Sequence, residues 1–229
     1  MCLSSFKYGR IACKNIDKNS FLDFGTDDDG AKKWSEEVYG EWAKHYSSFV
    51  MNVQRRGAFS DYWNTHDPLS YYCGCAFDNA NAYYYSKRTG NEYFDSLKTE
   101  INSIIEDAPR IPDNIVVYRA IERIDFWNFK ELNGLRRPFV HLGPMSTSLT
   151  SSILTKRRED PDFSACRYAL RIYVPMGARA LYVDEVGKYI DNLNRGEIEL
   201  LFPSDSELYM VSYPYKQFEK TVIDCYLAL

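Results

Sequence analysis

Two glutamates near the C-terminal end of the chain have the clearest capacity for chemistry. Glu197 and Glu199 flank Ile198 and precede the apolar run 200–202, which predicts a strand over 197–202 that enters a core. In a strand, residues i and i+2 project from one face, roughly 7 Å apart. Carboxylates this close repel each other and raise a pKa, a cost that proteins accept mainly at functional sites. The alternative is a charged strand entrance that only keeps a sheet edge soluble.

One arginine is a second candidate group. Arg119 follows the strand-like run 116–118, and its planar guanidinium can bind a phosphate or a carboxylate through two parallel hydrogen bonds. An arginine on a strand edge is, however, more often exposed to water without any ligand. Arg119 therefore indicates a binding site only in combination with other polar motifs.

Three consecutive hydroxyl side chains form the third candidate motif. Ser146, Thr147 and Ser148 lie in a run that reads as a strand. Alternation places Ser146 and Ser148 on one face and Thr147 on the other. Hydroxyls in such positions can orient a carboxylate or a ribose, although a polar strand surface is also common.

The part of the chain before these motifs is predicted to be helical. Apolar residues at three- and four-residue spacing indicate a helix over 31–52, and further helices are expected over 76–87 and 92–107, the last with Asn91 as its N-cap. The apolar stripe of the first helix comprises Trp34, Val38, Trp42, Tyr46 and Phe49.

The part after residue 110 is predicted to form strands, because β-branched, aromatic and aliphatic runs alternate there with turn sequences. Helices first and strands afterwards favour an α+β fold, with N-terminal helices packed on a C-terminal sheet, over a repeated βαβ fold. We expect an N-terminal extension over 1–30 and one domain over 31–229, with a helical half over 31–110 and a strand-rich half over 111–229. The expected strands cover 115–120, 168–174, 180–183, 197–202, 208–213 and 221–227.

Composition disfavours several classes of protein. The net charge is −4, and the sequence has no basic stripe of the kind that nucleic-acid binding requires. No segment approaches the ~18 apolar residues of a membrane span. The first residues also lack the pattern of a signal peptide. We therefore expect synthesis in the cytosol and neither a nucleic-acid nor a membrane partner, while export by a route without a signal peptide stays open.

The cysteines and histidines do not predict a metal site. Six cysteines include Cys73 and Cys75, which are separated by one residue rather than two, and the three histidines show no paired spacing. Such spacing disfavours metal binding, and reduced thiols are expected. Neither a Rossmann glycine motif nor a Walker loop is present, so any claim of nucleotide binding must rest on other residues.

Taken in order, the arginine, serine and glutamate motifs resemble those of the arginine–serine–glutamate class of ADP-ribosyltransferases. The resemblance is to the exoenzyme domains of clostridial binary and actin-modifying toxins, and it covers the C-terminal half of the chain. The diphtheria-toxin-like class is disfavoured, because its histidine stands in a His-Gly-Thr type motif whereas Leu142 and Gly143 follow His141 here. Upstream helical residues that also look similar are Tyr83–Ser86, Gly90, Tyr93 and Ile101–Asn102.

The resemblance implies a central cleft that binds NAD as substrate, without a metal. Arg119 would hold the NAD phosphates with Ala120 beside it, and Ser146 would position Glu199 and the nicotinamide ribose. Glu199 would bind the ribose 2′-hydroxyl and stabilise positive charge as the nicotinamide bond breaks, which agrees with the demand of an oxocarbenium-like transition state. Thr147 and Ser148 would complete this NAD site.

The resemblance also implies a protein acceptor. Glu197 would orient the incoming acceptor or take its proton, and in this family a glutamate at that position accompanies arginine acceptors. A protonated guanidinium is a poor nucleophile, so a neighbouring carboxylate is chemically needed. The segment 187–196 would recognise the acceptor, but the aromatic residue that relatives often carry shortly before the first glutamate is absent, and Tyr189 is the nearest one. This difference concerns the predicted acceptor and not the predicted use of NAD.

A second loop, 151–163, resembles the segment that covers the phosphates and nicotinamide in the family. Within it, Arg157 or Arg158 can reach a phosphate and Phe163 can stack on a ring, although a solvated charged loop explains the same sequence equally well.

The leading hypothesis is a mono-ADP-ribosyltransferase that modifies arginine, acting as a toxin, an effector or a phage modifier. An NAD glycohydrolase that delivers ADP-ribose mainly to water is an alternative. A catalytically silent binding domain, or an immunity or adaptor protein that keeps the fold, is another. The presence of Arg119, Ser146 and Glu199 disfavours a silent protein.

Overall fold

Helices precede strands in the computed structural model, which describes residues 15–55, 67–86, 90–122, 128, 137–155, 166–190 and 196–229. A short 3₁₀ turn over Lys18–Ser20 comes before the first long helix. The helical half then contains α1 (Asp28–Arg55), α2 (Pro68–Tyr71), a π-helical turn (Tyr72–Ala76), α3 (Phe77–Tyr85) and α4 (Glu92–Asp107).

Nine strands in the described residues form one mixed sheet. They are β1 (Ile115–Ile121), β2 (Phe139–His141), β3 (Met145–Ser148), β4 (Tyr168–Val174), β5 (Leu181–Tyr182), β6 (Glu199–Phe202), β7 (Ser206–Met210), β8 (Tyr215–Gln217) and β9 (Lys220–Leu227). Two short helices, α5 (Ser152–Thr155) and α6 (Val183–Val186), lie between strands. The predicted α+β class, with N-terminal helices and a C-terminal sheet, is confirmed.

The strand order places the three motif-bearing strands side by side. The sheet runs β2-β7-β9-β4-β1-β3-β6-β5, with β8 on β9. The pair β4–β9 is parallel, and the other pairs are antiparallel. Tyr118 of β1 lies opposite Ser148 of β3, which in turn lies opposite Glu199 of β6. Residues that are far apart along the chain therefore meet on three neighbouring strands.

Apolar side chains are buried on both faces of the sheet. The larger core joins the helices to one face and includes Leu97, Ile101 and Ile105 of α4, each at most 1% exposed. A smaller cluster on the other face is covered in part by Ile16 and Phe21 from the N-terminal segment. Removing this apolar area from water is the main favourable contribution to folding.

The buried face of α1 differs from the stripe that the sequence suggested. Its fully buried positions are mostly small and fall at Ala31, Ser35, Tyr39, Ala43, Ser47 and Val50. Trp34 and Trp42 lie at the flank of this face, where their indole N–H groups donate to Asp113 and Asp107. The expected stripe is wrong at Phe49, which is 61% exposed. Small residues let the helix approach its neighbours closely, so the bulky aromatic residues pack at its edge.

Several predicted boundaries also change. The first helix begins at residue 28 and reaches residue 55, whereas the one predicted over 76–87 is limited to 77–85 and is preceded by α2 and the π turn. Strands β2 and β8 were not predicted, because each has only three residues. The range 208–213 is wrong, since β7 covers 206–210. None of the helices in the described ranges has the length and apolarity needed to cross a bilayer.

Candidate active site

The three motifs line one cavity of about 270 Å³ at the junction of β1, β3 and β6. The strand pairing explains this convergence, because each motif lies on a strand adjacent to the next. The residues that sequence analysis assigned to the site and that the structure brings to this cavity are Arg119, Ala120, Ser146, Thr147, Ser148, Glu197 and Glu199.

The backbone between the two glutamates departs from a regular strand. Strand β6 begins only at Glu199, and Ile198 has a φ of 55°. The expectation that Glu197 and Glu199 alternate along one strand is therefore wrong, although both side chains face the cavity. A left-handed backbone costs roughly 1–2 kcal/mol for a residue with a Cβ. Such strain at a β-branched residue is typical of functional sites, where the surrounding structure maintains it.

Glu199 is a largely buried carboxyl group at the wall of the cavity. It is only 7% exposed. Its pKa is raised to about 7, mainly by burial and also by the charges of Glu197 and Asp184, although a hydrogen bond from Ser146 and the charge of Arg119 act in the opposite direction. Glu199 can therefore change between its acid and its carboxylate form near neutral pH.

The raised pKa of Glu199 predicts a pH-dependent cost to stability. Protonated Glu199 stabilises the folded state relative to the charged form. This stabilisation is fully present below the ordinary pKa of 4.5 and is lost as the pH rises through about 7. Glutamine does not titrate, so the free energy of unfolding of Glu199→Gln minus that of the wild type should be about 2 kcal/mol larger at about pH 8 than at about pH 5. Urea unfolding of both proteins at the two pH values measures this difference, with Glu41→Gln on the exposed side of α1 as control. A difference that does not change with pH would contradict the described environment of Glu199.

Arg119 is held at the cavity by β3. Its Nη1 group donates to the carbonyl oxygen of Ser146, and the side chain is half-buried. This bond uses one of the five N–H groups of a guanidinium. The orientation of the charge is thus set by the same residue whose hydroxyl contacts Glu199.

The three hydroxyl side chains have different partners. Ser146 forms a hydrogen bond with the carboxyl group of Glu199. The Ser148 hydroxyl donates to the carbonyl of Glu197 at 3.0 Å, and that of Thr147 donates to the carbonyl of Leu200 at 2.8 Å. Thr147 and Ser148 therefore fasten β3 to the backbone that carries the glutamates, whereas Ser146 acts on a glutamate side chain.

The helical half contributes residues that sequence analysis missed. Tyr72, Cys73, Phe77 and Asn81 line the cavity, and the Tyr72 hydroxyl lies 3.0 Å from the Pro144 carbonyl oxygen, to which it can donate. Tyr72 and Phe77 are five residues apart, a spacing that a helix of 3.6 residues per turn does not align. The π-helical turn between them restores the alignment, and such turns occur often at functional sites.

The tyrosines that carried the helical resemblance do not line this cavity. Tyr83 donates from its hydroxyl to Asp95, and Tyr84 donates to the carbonyl of Phe94 at 2.9 Å. These bonds fasten α3 to α4. Tyr83 and Tyr84 therefore stabilise the helical layer that contributes four of the residues lining the cavity.

Cys73 and His141 lie near the site, but their surroundings disfavour the charged forms of both side chains. Burial raises the pKa of the Cys73 thiol well above its ordinary value. Burial and the charge of Arg119 lower the pKa of His141 to about 3, and its neutral ring donates from Nδ1 to the Gly143 carbonyl. The carboxyl groups are therefore the better candidates for acid–base chemistry. Cys73, Cys166 and Cys225 are free thiols.

Part of the expected site lies outside the described residues. Arg157, Arg158 and Phe163, which were expected to cover the phosphates and nicotinamide, belong to this part, as do residues 191–195 of the expected acceptor loop. Their assigned roles stay predictions.

The fold is similar to those of solved bacterial toxins. Plx2a, an ADP-ribosyltransferase toxin from Paenibacillus larvae, aligns with a TM-score of 0.63 and 18% identity over 91% of this chain and 100% of its own. C3stau2 from S. aureus, solved with NAD, aligns with a TM-score of 0.61 and 17% identity over 91% and 99%. BECa of C. perfringens, an ADP-ribosylating toxin of a binary enterotoxin solved with NADH, gives 0.64 and 19%. The alignment covers 91% of this chain and 50% of BECa, so this chain spans about half of that protein.

The sequence itself matches a family model. No curated protein matches this chain. Residues 31–226, however, match the model of the ADP-ribosyltransferase exoenzyme, and this range includes every residue described above as lining the cavity. The chain therefore belongs to the ADP-ribosyltransferase exoenzyme family.

Proposed function

We propose that this protein is a mono-ADP-ribosyltransferase that transfers ADP-ribose from NAD to an arginine side chain of another protein and releases nicotinamide. The observation that carries the proposal is the convergence of Arg119, Ser146, Glu197 and Glu199 on one cavity. Membership of the exoenzyme family supports the use of NAD. The similar structures Plx2a and BECa are those of toxins, which supports a role as a toxin or effector.

In the proposed reaction, Arg119 binds the diphosphate of NAD. Its guanidinium is already oriented by the Ser146 carbonyl, and a guanidinium has four further N–H groups that can donate to phosphate oxygens. Phe77 is 42% exposed at the cavity, and its ring offers a surface for stacking with a flat heterocycle. Binding thus uses a fixed cation at one end and an aromatic side chain from α3.

Glu199 acts on the bond that breaks. The bond between C1′ of the ribose and nicotinamide breaks, and its electron pair leaves with the nicotinamide. Positive charge then develops on the ribose, and the Glu199 carboxylate stabilises it more strongly than in water because the group is only 7% exposed. Ser146 keeps this carboxylate in place through its hydrogen bond. In its charged form Glu199 also accepts a hydrogen bond from the ribose 2′-hydroxyl.

Glu197 acts on the acceptor. It is half-buried at the cavity and more accessible than Glu199. The arginine nitrogen that attacks C1′ must lose a proton, and Glu197 accepts it while the new bond forms. When water takes the place of arginine, the products are free ADP-ribose and nicotinamide. Transfer and hydrolysis therefore share Glu199 and differ in their need for Glu197.

Labelled NAD and a cell lysate test the proposed reaction. Incubation with the purified protein is expected to label one or a few lysate proteins, and mass spectrometry of their peptides should locate the ADP-ribose on arginine. Modification of a different residue type would contradict the arginine assignment but leave NAD cleavage standing. Nicotinamide release without any labelled protein would instead favour the glycohydrolase.

Arg119→Lys is expected to weaken NAD binding about tenfold, because losing one charged hydrogen bond costs at least about 1.5 kcal/mol. A lysine ammonium keeps the charge but cannot reproduce the planar two-point contact with a diphosphate. Calorimetric titration of NAD into both proteins measures the change. Arg110→Lys is the matched control, because Arg110 is exposed and pairs with Glu106 outside the cavity. Equal affinities for the wild type and Arg119→Lys would remove Arg119 from the NAD site.

A further inference from the structure

A single carboxylate spans the connection between α6 and β6. The Oδ1 atom of Asp184 accepts a hydrogen bond from the backbone N–H of Gly196 at 2.8 Å. Its Oδ2 atom accepts one from the backbone N–H of Glu199 at 3.1 Å. Asp184 therefore binds the backbone on both sides of the Glu197–Ile198 pair, at positions 12 and 15 residues further along the chain.

Asp184 lies on a short helix whose other residues are buried. Its neighbours Val183, Glu185 and Val186 are at most 2% exposed, and α6 packs against α1. Tyr182, at the end of β5 and also 2% exposed, forms a hydrogen bond with the Asp184 side chain. A carboxylate mounted in this way can hold a neighbouring segment in one position, because its own side chain has little freedom to move.

The segment that Asp184 holds has an unfavourable backbone. Gly196 and Ile198 have φ angles of 93° and 55°, and an isoleucine adopts such an angle only where its surroundings impose it. Two other contacts contribute, since the Ile198 carbonyl accepts from the Leu149 N–H at 3.0 Å and Ser148 binds the Glu197 carbonyl. Those two contacts reach carbonyl groups, while Asp184 reaches the N–H groups on either side.

We infer that Asp184 is a positioning residue that fixes Glu197 in the orientation needed for transfer to the acceptor. This inference rests on the proposed function. Glu199 is also held by β3, because it pairs with Ser148 and binds Ser146. Glu197 lies before β6 begins, so its position depends more strongly on Asp184. Loss of the Asp184 carboxylate therefore affects transfer more than hydrolysis of NAD.

Asp184→Asn and Asp184→Ala test the inference. Asparagine has the same shape but only one acceptor oxygen, so one of the two backbone N–H groups faces another donor. Transfer to the lysate proteins that the wild type labels is expected to fall about tenfold or more, because misplacing a reacting group by about 1 Å can cost on the order of 10²-fold in rate. Nicotinamide release without lysate is expected to fall much less. Asp17→Asn is the matched control, because Asp17 also accepts a backbone N–H, from Asn19 at 3.1 Å, and is exposed.

The pH profile separates positioning from general loss of structure. The titratable and charged groups that act on Glu199 or are acted on by it are Glu197, Asp184, Arg119, Tyr72 and Cys73. Asp184 raises the pKa of Glu199, so Asp184→Asn should shift the acid limb of nicotinamide release to lower pH. A variant that is merely less stable would not produce this shift.

Hydrogen exchange provides a measurement that does not depend on activity. The amides of Gly196 and Glu199 are expected to exchange faster in Asp184→Ala, while the amides of β1 and β4 keep wild-type rates. Unchanged exchange at Gly196 and Glu199, or an equal fall of transfer and hydrolysis with an unmoved acid limb, would overturn the inference. If the wild type releases no nicotinamide, the proposed function fails, and hydrogen exchange still decides whether Asp184 holds this segment.

Discussion

Glu199→Gln is expected to lose both nicotinamide release and protein labelling, by about 10² to 10³-fold or more. Glutamine keeps the shape of the side chain and can still bind Ser146, but it carries no charge to stabilise the developing positive charge on the ribose. Because both transfer and hydrolysis begin with the same bond cleavage, they should fall together. Nicotinamide release and incorporation of label from NAD measure the two activities in parallel.

The fold of Glu199→Gln should persist, because removing a carboxylate that is only 7% exposed relieves a cost of burial. Circular dichroism and thermal unfolding check this. Glu41→Gln, on the exposed side of α1, is the control for the chemical change itself. Wild-type turnover of NAD by folded Glu199→Gln would remove Glu199 from the mechanism.

Glu197→Gln is expected to separate the two activities. Arginine modification should fall by about 10² or more, since a general base contributes on that order to rate. Much of the hydrolysis of NAD should survive, because Glu199 still promotes bond cleavage and water can replace the arginine. The same two assays on wild type, Glu197→Gln and Glu199→Gln give the comparison.

Each competing hypothesis predicts a different pattern for Glu197→Gln. If the enzyme is a glycohydrolase, the wild-type protein labels no other protein, and Glu197→Gln consumes NAD nearly as fast as the wild type does. A silent domain would leave NAD intact in both proteins. Equal loss of labelling and nicotinamide release in Glu197→Gln would mean that Glu197 supports the ribose step or the fold, and the arginine assignment would lose its main support.

The local elements of the sheet that carry the site could be predicted well from sequence. The strand predicted over 168–174 matches β4, and the one over 115–120 differs from β1 by a single residue. These runs combine β-branched and aromatic residues with clear turn sequences, so local preference and final structure agree. The order of strands in the sheet depends on contacts between distant residues and cannot be read from local patterns.

The kink before Glu199 shows where local preference fails. Isoleucine favours extended backbone, so the sequence predicts that Ile198 continues the strand. Tertiary contacts instead hold it at a φ of 55°, through Asp184 on one side and Leu149 on the other. Asp184 lies 13 residues before Glu197 in the sequence, and no spacing rule connects the two. The feature that orients the glutamate pair was therefore the least accessible to sequence analysis.

The helical side of the cavity was missed for a related reason. A search for residues three and four apart cannot align Tyr72 with Phe77, because the π-helical turn adds one residue between them. Phe77 and Asn81 do have helical spacing, and both line the cavity. The signal for this side of the cavity that the sequence does contain is the five-residue spacing of Tyr72 and Phe77 across Cys-Gly-Cys.

Nicotinamide release from NAD by the purified wild-type protein, without any acceptor, tests the central claim most directly. The claim is that the cavity formed by Arg119, Ser146 and Glu199 cleaves the bond between nicotinamide and ribose. We expect steady release of nicotinamide with free ADP-ribose in equal amount, and its loss in Glu199→Gln. If the folded wild-type protein binds NAD but releases no nicotinamide above the buffer rate, with or without lysate, the assignment of this cavity as a catalytic site is contradicted.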